Sequence, residues 1–246
     1  MVLPSMTYRE IYDDLEKDKF KIKQRINKIC PKVVKEFKKS KSYPLMHVDE
    51  YKIPATNNQY IIFYYARNLK EIEKPFYTYF CIMFVDNQRF VLSTIETGYQ
   101  HTPKCGTIKL PLLNIYTSHF FQRYNERFLY NKNFTANQVA GLYLLRNWNI
   151  IPIKLNEDIN RNYKEHGEDN TRAVRVHDGL CFTRAALEYQ PSEDGIREHD
   201  ELYAIYYLYT TFVSEQELSE SQKNAIDKEH LEVLKSCMED MQIGGK

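Results

Sequence analysis

The feature that most constrains the fold is a series of strand-like runs rich in aromatic and apolar residues. Three of them follow one another in the first half of the chain: Gln59–Arg67, Phe76–Val85 and Arg89–Thr97. The chain contains 20 Tyr and 13 Phe, and aromatic and β-branched side chains suit the half-buried faces of a sheet. Asp86 and Asn87 separate the last two runs, and such a short polar connection predicts an antiparallel hairpin. The sequence therefore predicts an antiparallel meander.

More strand-like segments follow the meander. Thr107–Asn114 can add a fourth strand, and two shorter candidates, Arg172–Val176 and Leu180–Ala186, are joined by a His-Asp-Gly turn. Glu201–Val213 is a further strongly strand-prone run. Whether these later strands join the first group in one sheet is left open by the sequence.

Helical periodicity occurs at both ends of the chain and in the middle. Ser5–Ser40 carries apolar residues at intervals of three to four, with Pro31 expected to kink or split the helix. Thr117–Tyr130 and Thr135–Trp148 predict a central helix pair, and Ser214 is expected to cap an acidic closing helix. The predicted class is α+β, with antiparallel strands, an N-terminal basic helix, a central helix pair and a C-terminal acidic helix.

The predicted organisation divides the chain into an arm and a larger domain. Residues 1–58 are expected to form a basic helical arm and a connector, the connector covering Ser42–Asn58. Residues 59–246 are expected to form the α+β domain, with a first strand group at 59–115, the helix pair at 117–148, and the second strand group and closing helix at 171–240. Asn156–Asn170 is polar and charged, which favours a mobile loop.

Composition excludes several classes of protein. A hydrophobic share of 43% and a net charge of +1 exclude a disordered chain, and the longest apolar runs are far shorter than the ~20 residues that span a bilayer. The five cysteines lie far apart, which indicates reduced thiols in a cytosolic compartment. The sequence carries no P-loop, dinucleotide-binding or zinc-protease motif. We therefore expect a cytoplasmic protein without a membrane partner, a metal or a small-molecule cofactor.

Charge is distributed unevenly along this nearly neutral chain. Residues 17–41 contain eleven Lys and Arg against two acidic residues, whereas residues 191–246 contain thirteen acidic residues against five basic ones. Clustered lysines are what contact with nucleic-acid phosphates requires. The candidate phosphate-binding residues on the basic helix are Lys21, Arg25, Lys28, Lys32 and Lys35. The alternative is that two solvated helices face each other or face water.

A candidate catalytic group lies in the first central helix. His119, Arg123 and Arg127 are spaced by four residues, so they form one stripe on a regular helix. A histidine beside two guanidiniums is the arrangement that a general acid or base next to a bound phosphate requires. The structural alternative is that Arg123 and Arg127 pair with Glu126 or with the acidic C-terminal helix, and that His119 has no chemical role.

This segment resembles a motif of the barnase/EndoU/colicin/RelE-like ribonuclease superfamily of bacteria and phages. The resemblance covers Thr117-Ser118-His119-x3-Arg123-x3-Arg127 and the continuation Phe134-Thr135-x3-Val139, about thirty residues, and the strand end Tyr209–Ser214 is weakly similar. It implies that His119 is a general acid or base, that Arg123 and Arg127 hold the scissile phosphate, and that Thr210 or Thr211 gives polar support. It also implies cleavage by the substrate's own 2′-hydroxyl without a metal.

Two hypotheses of different class follow. The first is a metal-independent ribonuclease-like or RNA-binding protein, to which Arg175 and His177 can contribute because they share one face of a predicted strand. The second is a non-catalytic interaction or structural protein that binds a protein partner or a second copy of itself through its aromatic sheet or charged helices.

Overall fold

The structure, a computed structural model, describes residues 1–99, 108–153, 171–190, 201–228 and 231. Its elements in chain order are the helix α1 (Tyr8–Phe37), the strands β1 (Leu45–Lys52), β2 (Gln59–Ala66), β3 (Phe76–Val85), β4 (Gln88–Tyr99) and β5 (Ile108–Thr117), the helices α2 (Ser118–Tyr124) and α3 (Ala136–Arg146), the strands β6 (Ile151–Ile153), β7 (Thr171–Val176), β8 (Gly179–Gln190) and β9 (Glu201–Ser214), and the helix α4 (220–228). The α+β class is confirmed. The loop predicted at Asn156–Asn170 lies outside the described residues.

The nine strands of the described residues all belong to one sheet, which answers the question that the sequence left open. The strand order is β1-β2-β3-β4-β5-β9-β8-β7-β6. Every neighbouring pair is antiparallel except β5 and β9, which run parallel at the centre. The first strand group and the second therefore meet along this one parallel pairing.

Helix α1 covers one face of the sheet with an apolar stripe. Ile22, Ile26 and Val33 lie on this stripe, and Ile22 and Val33 are fully buried against the sheet. The helix begins at a capping box formed by Thr7 and Glu10. It runs through Pro31 as a single 30-residue helix, so of the two outcomes expected for Pro31, a kink or a split, the split does not occur. Proline removes one hydrogen bond from the helix, and burial of the apolar stripe on both sides of Pro31 compensates for that loss.

The segment expected to be a connector contains β1. Leu45–Lys52 pairs antiparallel with β2 along its whole length and forms an edge of the sheet. The flanking Pro44 and Pro54 and the charged residues within the segment conceal this strand in the sequence. Arg25 of α1 forms a bidentate ion pair with Asp49 of this strand, which fixes the strand to the helix. Residues 1–58 therefore pack on the sheet of the domain instead of extending from it.

Helices α2 and α3 cover the opposite face and enclose an aromatic core. Tyr116, Phe120, Tyr124, Tyr143 and Tyr209 are buried there, and the Tyr116 and Tyr209 rings are stacked with 4.3 Å between their centroids. This buried cluster accounts for part of the high tyrosine content and positions α2 and α3 rigidly over the sheet.

Local signals at the turns and caps were mostly predicted well. Asp86 and Asn87 both have positive φ, 48° and 64°, which is the backbone of a type I′ hairpin turn. Thr135 forms a capping box with Gln138 at the start of α3. Ser214 also forms a capping box, but it begins only the short 3-10 turn Glu215–Glu217, and α4 starts later, at residue 220.

None of the helices within the described residues is long and apolar enough to cross a membrane.

Candidate functional site

The stripe expected for His119, Arg123 and Arg127 is broken. Arg123 Nε lies 3.4 Å from His119 Nε2, so these two residues do meet on α2. The chain then widens into a π-helical turn at Asn125–Leu129, closed by the hydrogen bond from the Tyr130 amide to the Asn125 carbonyl. A π-helical turn inserts one extra residue, which rotates everything after it and ends the four-residue spacing.

Both arginines take structural partners. Arg123 Nη1 lies 2.9 Å from Glu126 Oε2. Arg127 Nη1 donates to the carbonyl of Phe212 at 2.7 Å, and its Nε lies 3.4 Å from Glu217 Oε1. Pairing with Glu126 and with an acidic residue near the C-terminal end is what the structural alternative describes, and it engages both arginines that were expected to hold a phosphate.

His119 and Thr210 do line one open concavity. This concavity, here called the His119 concavity, has a volume of about 600 Å³ and also contains Arg89 and Ser118. Thr210 is the extra residue of a β-bulge in β9, where Phe182 pairs with Thr211 and Thr183 pairs with Tyr209. Its hydroxyl donates to the Phe182 carbonyl at 3.1 Å. Thr211 is half-buried in the ladder and does not line this concavity.

A second concavity lies at the C-terminal end of α3, where two distant parts of the sheet approach each other. This basic-aromatic cleft has a volume of about 590 Å³. Its residues come from the end of β2 and the start of β3 on one side, and from β6 and β7 on the other. Strands β2 and β7 stand second and eighth in the nine-stranded sheet, so the sheet curls around α2 and α3 to form the cleft.

Cationic and aromatic side chains dominate the lining of the cleft. The cations are Arg67, Arg146 and Arg175, with His177 beside them, and Glu215 is the acidic residue of the lining. The aromatic members are Tyr65, Phe76 and Trp148. Trp148, the one tryptophan of the chain, is 75% exposed. Of these residues the sequence pointed only to Arg175 and His177, which the structure does bring together.

Asp178 fixes the position of Arg146 at the back of the cleft. The carboxylate, 1% exposed, accepts hydrogen bonds from Arg146 Nε and Nη2 at 2.8 and 2.6 Å, from the Tyr124 hydroxyl at 2.6 Å and from Asn147 Nδ2 at 2.9 Å. Burial opposes ionisation of Asp178, but these hydrogen bonds outweigh it and lower the pKa of the carboxyl. The network ties α2, α3 and the β7–β8 turn together.

The other two arginines of the cleft are also held by carboxylates. Arg67 pairs with Glu71 through Nε at 2.8 Å and Nη2 at 2.6 Å, and its guanidinium carbon lies 5.0 Å from the centre of the Phe76 ring. Arg175 pairs with Asp227 of α4 and with Glu215. These contacts orient the guanidiniums before any ligand arrives.

The basic residues of α1 form a ridge on its outer surface. At 100° per residue, five lysines fall within about 60° of arc, on the side away from the apolar stripe. All five are exposed, and they define the lysine ridge: Lys17, Lys21, Lys28, Lys32 and Lys35. The ridge is about 27 Å long, since each helical residue rises about 1.5 Å.

The ridge lysines have no ion-pair partner among the described residues, whereas neighbouring basic residues do. Arg25 pairs with Asp49, Lys19 with Glu16, and Lys38 with Glu73. Among the described acidic residues of the C-terminal segment, Glu217 pairs with Arg127, Glu215 and Asp227 pair with Arg175, and Glu220 pairs with Lys223. Within the described part of the chain, therefore, the basic and acidic ends do not form ion pairs with each other. Arg25, which was a candidate for phosphate binding, instead pairs with Asp49 on the edge strand β1.

The described residues contain no group of three or more His, Cys, Asp or Glu side chains placed to hold a metal ion. No family model, no curated protein and no solved structure matches this chain.

Proposed function

We propose that the protein binds RNA, with the lysine ridge of α1 as the surface that contacts the phosphate backbone. The observation that carries the proposal is the segregation of charge on α1. Five exposed lysines lie on one outer arc without ion-pair partners among the described residues, while the opposite face of the same helix is buried on the sheet. Lysines arranged in this way attract a polyanion and release its condensed counterions on binding.

The net charge of the whole molecule is close to zero, so the concentration of lysines on α1 is a local feature. The net charge is only +1, so a general excess of basic residues does not explain the ridge. A solvated helix that needed only solubility would gain from interspersed charges of both signs, whereas residues 17–41 carry eleven cations against two anions. None of the ion pairs found among the described residues involves a lysine of the ridge.

The test compares two variants with the same change of net charge. One variant replaces Lys21, Lys28, Lys32 and Lys35 by glutamine, which keeps helix propensity nearly unchanged. The control replaces four lysines away from the ridge and the cleft by glutamine: Lys52, Lys132, Lys223 and Lys228. Affinity for a fluorescein-labelled RNA is measured by anisotropy at about 0.1 M salt.

The ridge variant should bind RNA about 100-fold more weakly than the parent, since four lost phosphate contacts remove most of the counterion-release contribution at that salt concentration. The control variant should retain the affinity of the parent within a few-fold. Equal affinities of both variants would overturn the proposal, as would a parent that binds no RNA at all.

Metal-independent RNA cleavage is a second candidate function, favoured by the position of His119. The imidazole lines the same concavity as Arg89, Ser118 and the bulged Thr210, and bulges often re-aim side chains beside active sites. The test is incubation of single-stranded RNA with the parent and with His119→Ala in EDTA. Cleavage by the parent that disappears in the variant supports this function, and intact RNA in both samples refutes it.

A further inference from the structure

We infer that the basic-aromatic cleft takes one unstacked nucleotide, so that this protein binds single-stranded RNA more tightly than duplex RNA. This inference rests on the proposed function and names its class of ligand. The cleft combines exposed aromatic rings with oriented guanidiniums, which are the two elements that a base and its phosphate require.

The aromatic side of the cleft offers exposed rings for stacking. Trp148 follows α3 and leaves 75% of its surface in solvent, and Phe76 at the start of β3 leaves 46% exposed. Tyr65, the third aromatic residue of the lining, is half-buried. Every nucleobase has a π face, so stacking on such rings tolerates any sequence.

The cationic side of the cleft presents arginines with hydrogen-bond donors to spare. The described ion pairs of Arg67 and Arg146 use the Nε and Nη2 groups of each residue, which leaves both Nη1 groups outside those pairs. The positive charge of Arg146 also acts on Arg67. A phosphate that accepts hydrogen bonds from the two Nη1 groups avoids much of the cost of ordering the guanidiniums, because Glu71 and Asp178 already hold them in place. Glu215 is itself paired with Arg175, which reduces its repulsion of a phosphate.

The lysine ridge leads toward this cleft. Lys38 follows Lys35, the last ridge residue, by three positions and forms a 2.6 Å ion pair with Glu73 in the connection between β2 and β3. The same connection carries Glu71, which holds Arg67 of the cleft. A strand that follows the ridge to its C-terminal end therefore arrives at the connection that borders the cleft.

A duplex RNA can bind the lysine ridge, but its bases cannot enter the cleft. Its phosphates can contact lysines on the outer surface of α1, whereas its bases are paired and stacked and cannot enter a cleft of about 590 Å³ without being flipped out. We therefore expect the cleft to add affinity for single strands only.

The experiment uses Trp148 as its own reporter, because it is the one tryptophan of the chain. The intact protein is titrated with a mixed-sequence single-stranded 12-nucleotide RNA and with the same sequence as a duplex. Tryptophan fluorescence and the anisotropy of labelled RNA are followed together. The variants are Trp148→Ala, the conservative Trp148→Phe, and Phe84→Ala as a control at another ring that is 58% exposed.

The single strand should quench tryptophan fluorescence, and Trp148→Ala should weaken its binding about tenfold. Trp148→Phe should restore most of the affinity, Phe84→Ala should leave it unchanged, and duplex affinity should be the same in all four proteins. Single-strand binding without quenching, or with equal affinity in the parent and Trp148→Ala, would overturn the inference while leaving the proposed function intact. Failure of the proposed function differs, because neither RNA form would then bind.

Discussion

The buried carboxylate of Asp178 should contribute far more to stability than an exposed carboxylate of similar pairing. Replacing Asp178 by asparagine keeps the size of the side chain but removes its charge and places an NH2 group where an acceptor stood. Arg146, Tyr124 and Asn147 together make four hydrogen bonds to this carboxylate, and an amide oxygen cannot replace them all.

The expected magnitude follows from the burial of the two partners. Removing one partner of a fully buried pair costs about 3–5 kcal/mol. Asp178 is 1% exposed, but Arg146 is 41% exposed, so water can partly hydrate its guanidinium after the substitution. We therefore expect Asp178→Asn to lower the free energy of unfolding by about 2–3 kcal/mol, which corresponds to a urea midpoint lower by about 1 M.

The effect should depend on pH in a defined direction. The pKa of Asp178 is lower in the folded protein than its ordinary value of 3.8. The contribution of the ionised carboxylate is therefore fully present above about pH 4 and is lost as the pH falls below 3.8 toward the folded-state pKa. The difference in stability between the parent and Asp178→Asn should shrink over this acidic range.

The assay is urea unfolding followed by far-ultraviolet circular dichroism at pH 7 and at several acidic pH values. Glu126→Gln is the matched control, because it makes the same carboxyl-to-amide change in the exposed pair with Arg123 and should barely alter stability. Equal losses in the two variants at pH 7 would refute the reasoning, as would a loss in Asp178→Asn that does not change with pH.

Two further predictions concern packing and thiol reactivity. A Cβ added at Gly141 of α3 would overlap the Phe63 ring, so Gly141→Ala should destabilise the protein by about 1–2 kcal/mol despite the better helix propensity of alanine. Urea unfolding measures this loss, and Phe63→Leu should restore part of it. A Gly141→Ala protein more stable than the parent would contradict the close approach. Burial raises the pKa of the Cys81 and Cys181 thiols to about 12, so both should react with a thiol reagent at pH 8 about a thousandfold more slowly in the folded than in the urea-unfolded protein. Site-resolved mass spectrometry reports each cysteine, and rapid native labelling of either would contradict their burial.

Local sequence signals predicted local structure well. The Asp86-Asn87 turn, the Thr135 cap and the amphipathic stripe of α1 depend on residues close together in the chain, and the sequence displays them directly. Strand β1 was missed because its burial comes from α1, through contacts such as Arg25 with Asp49 across 24 residues. The parallel pairing of β5 with β9 joins segments about ninety residues apart, and no local pattern encodes it.

The candidate site was predicted only in part for the same reason. The exposed lysines of α1 follow from helical periodicity, and they lie where the periodicity places them. The stripe of His119, Arg123 and Arg127 failed because a single π-helical turn breaks the spacing, and the sequence gives no sign of it. The cleft was missed because Arg67, Phe76, Arg146 and Trp148 meet only when the sheet curls. A lone tryptophan directly after a capped helix was the one available signal.

The central claim is that the lysine ridge contacts RNA phosphates, and the salt dependence of binding tests it most directly. The affinity for single-stranded RNA is measured between about 50 and 300 mM salt for three proteins. They are the parent, the variant with Lys21, Lys28, Lys32 and Lys35 replaced by glutamine, and the control variant at Lys52, Lys132, Lys223 and Lys228. Each phosphate contact on a single strand contributes about 0.7 to the slope of log affinity against log salt. The account predicts that the slope of the ridge variant is shallower than that of the parent by about 3, and that the control keeps the parent's slope. Equal slopes in all three proteins would contradict it.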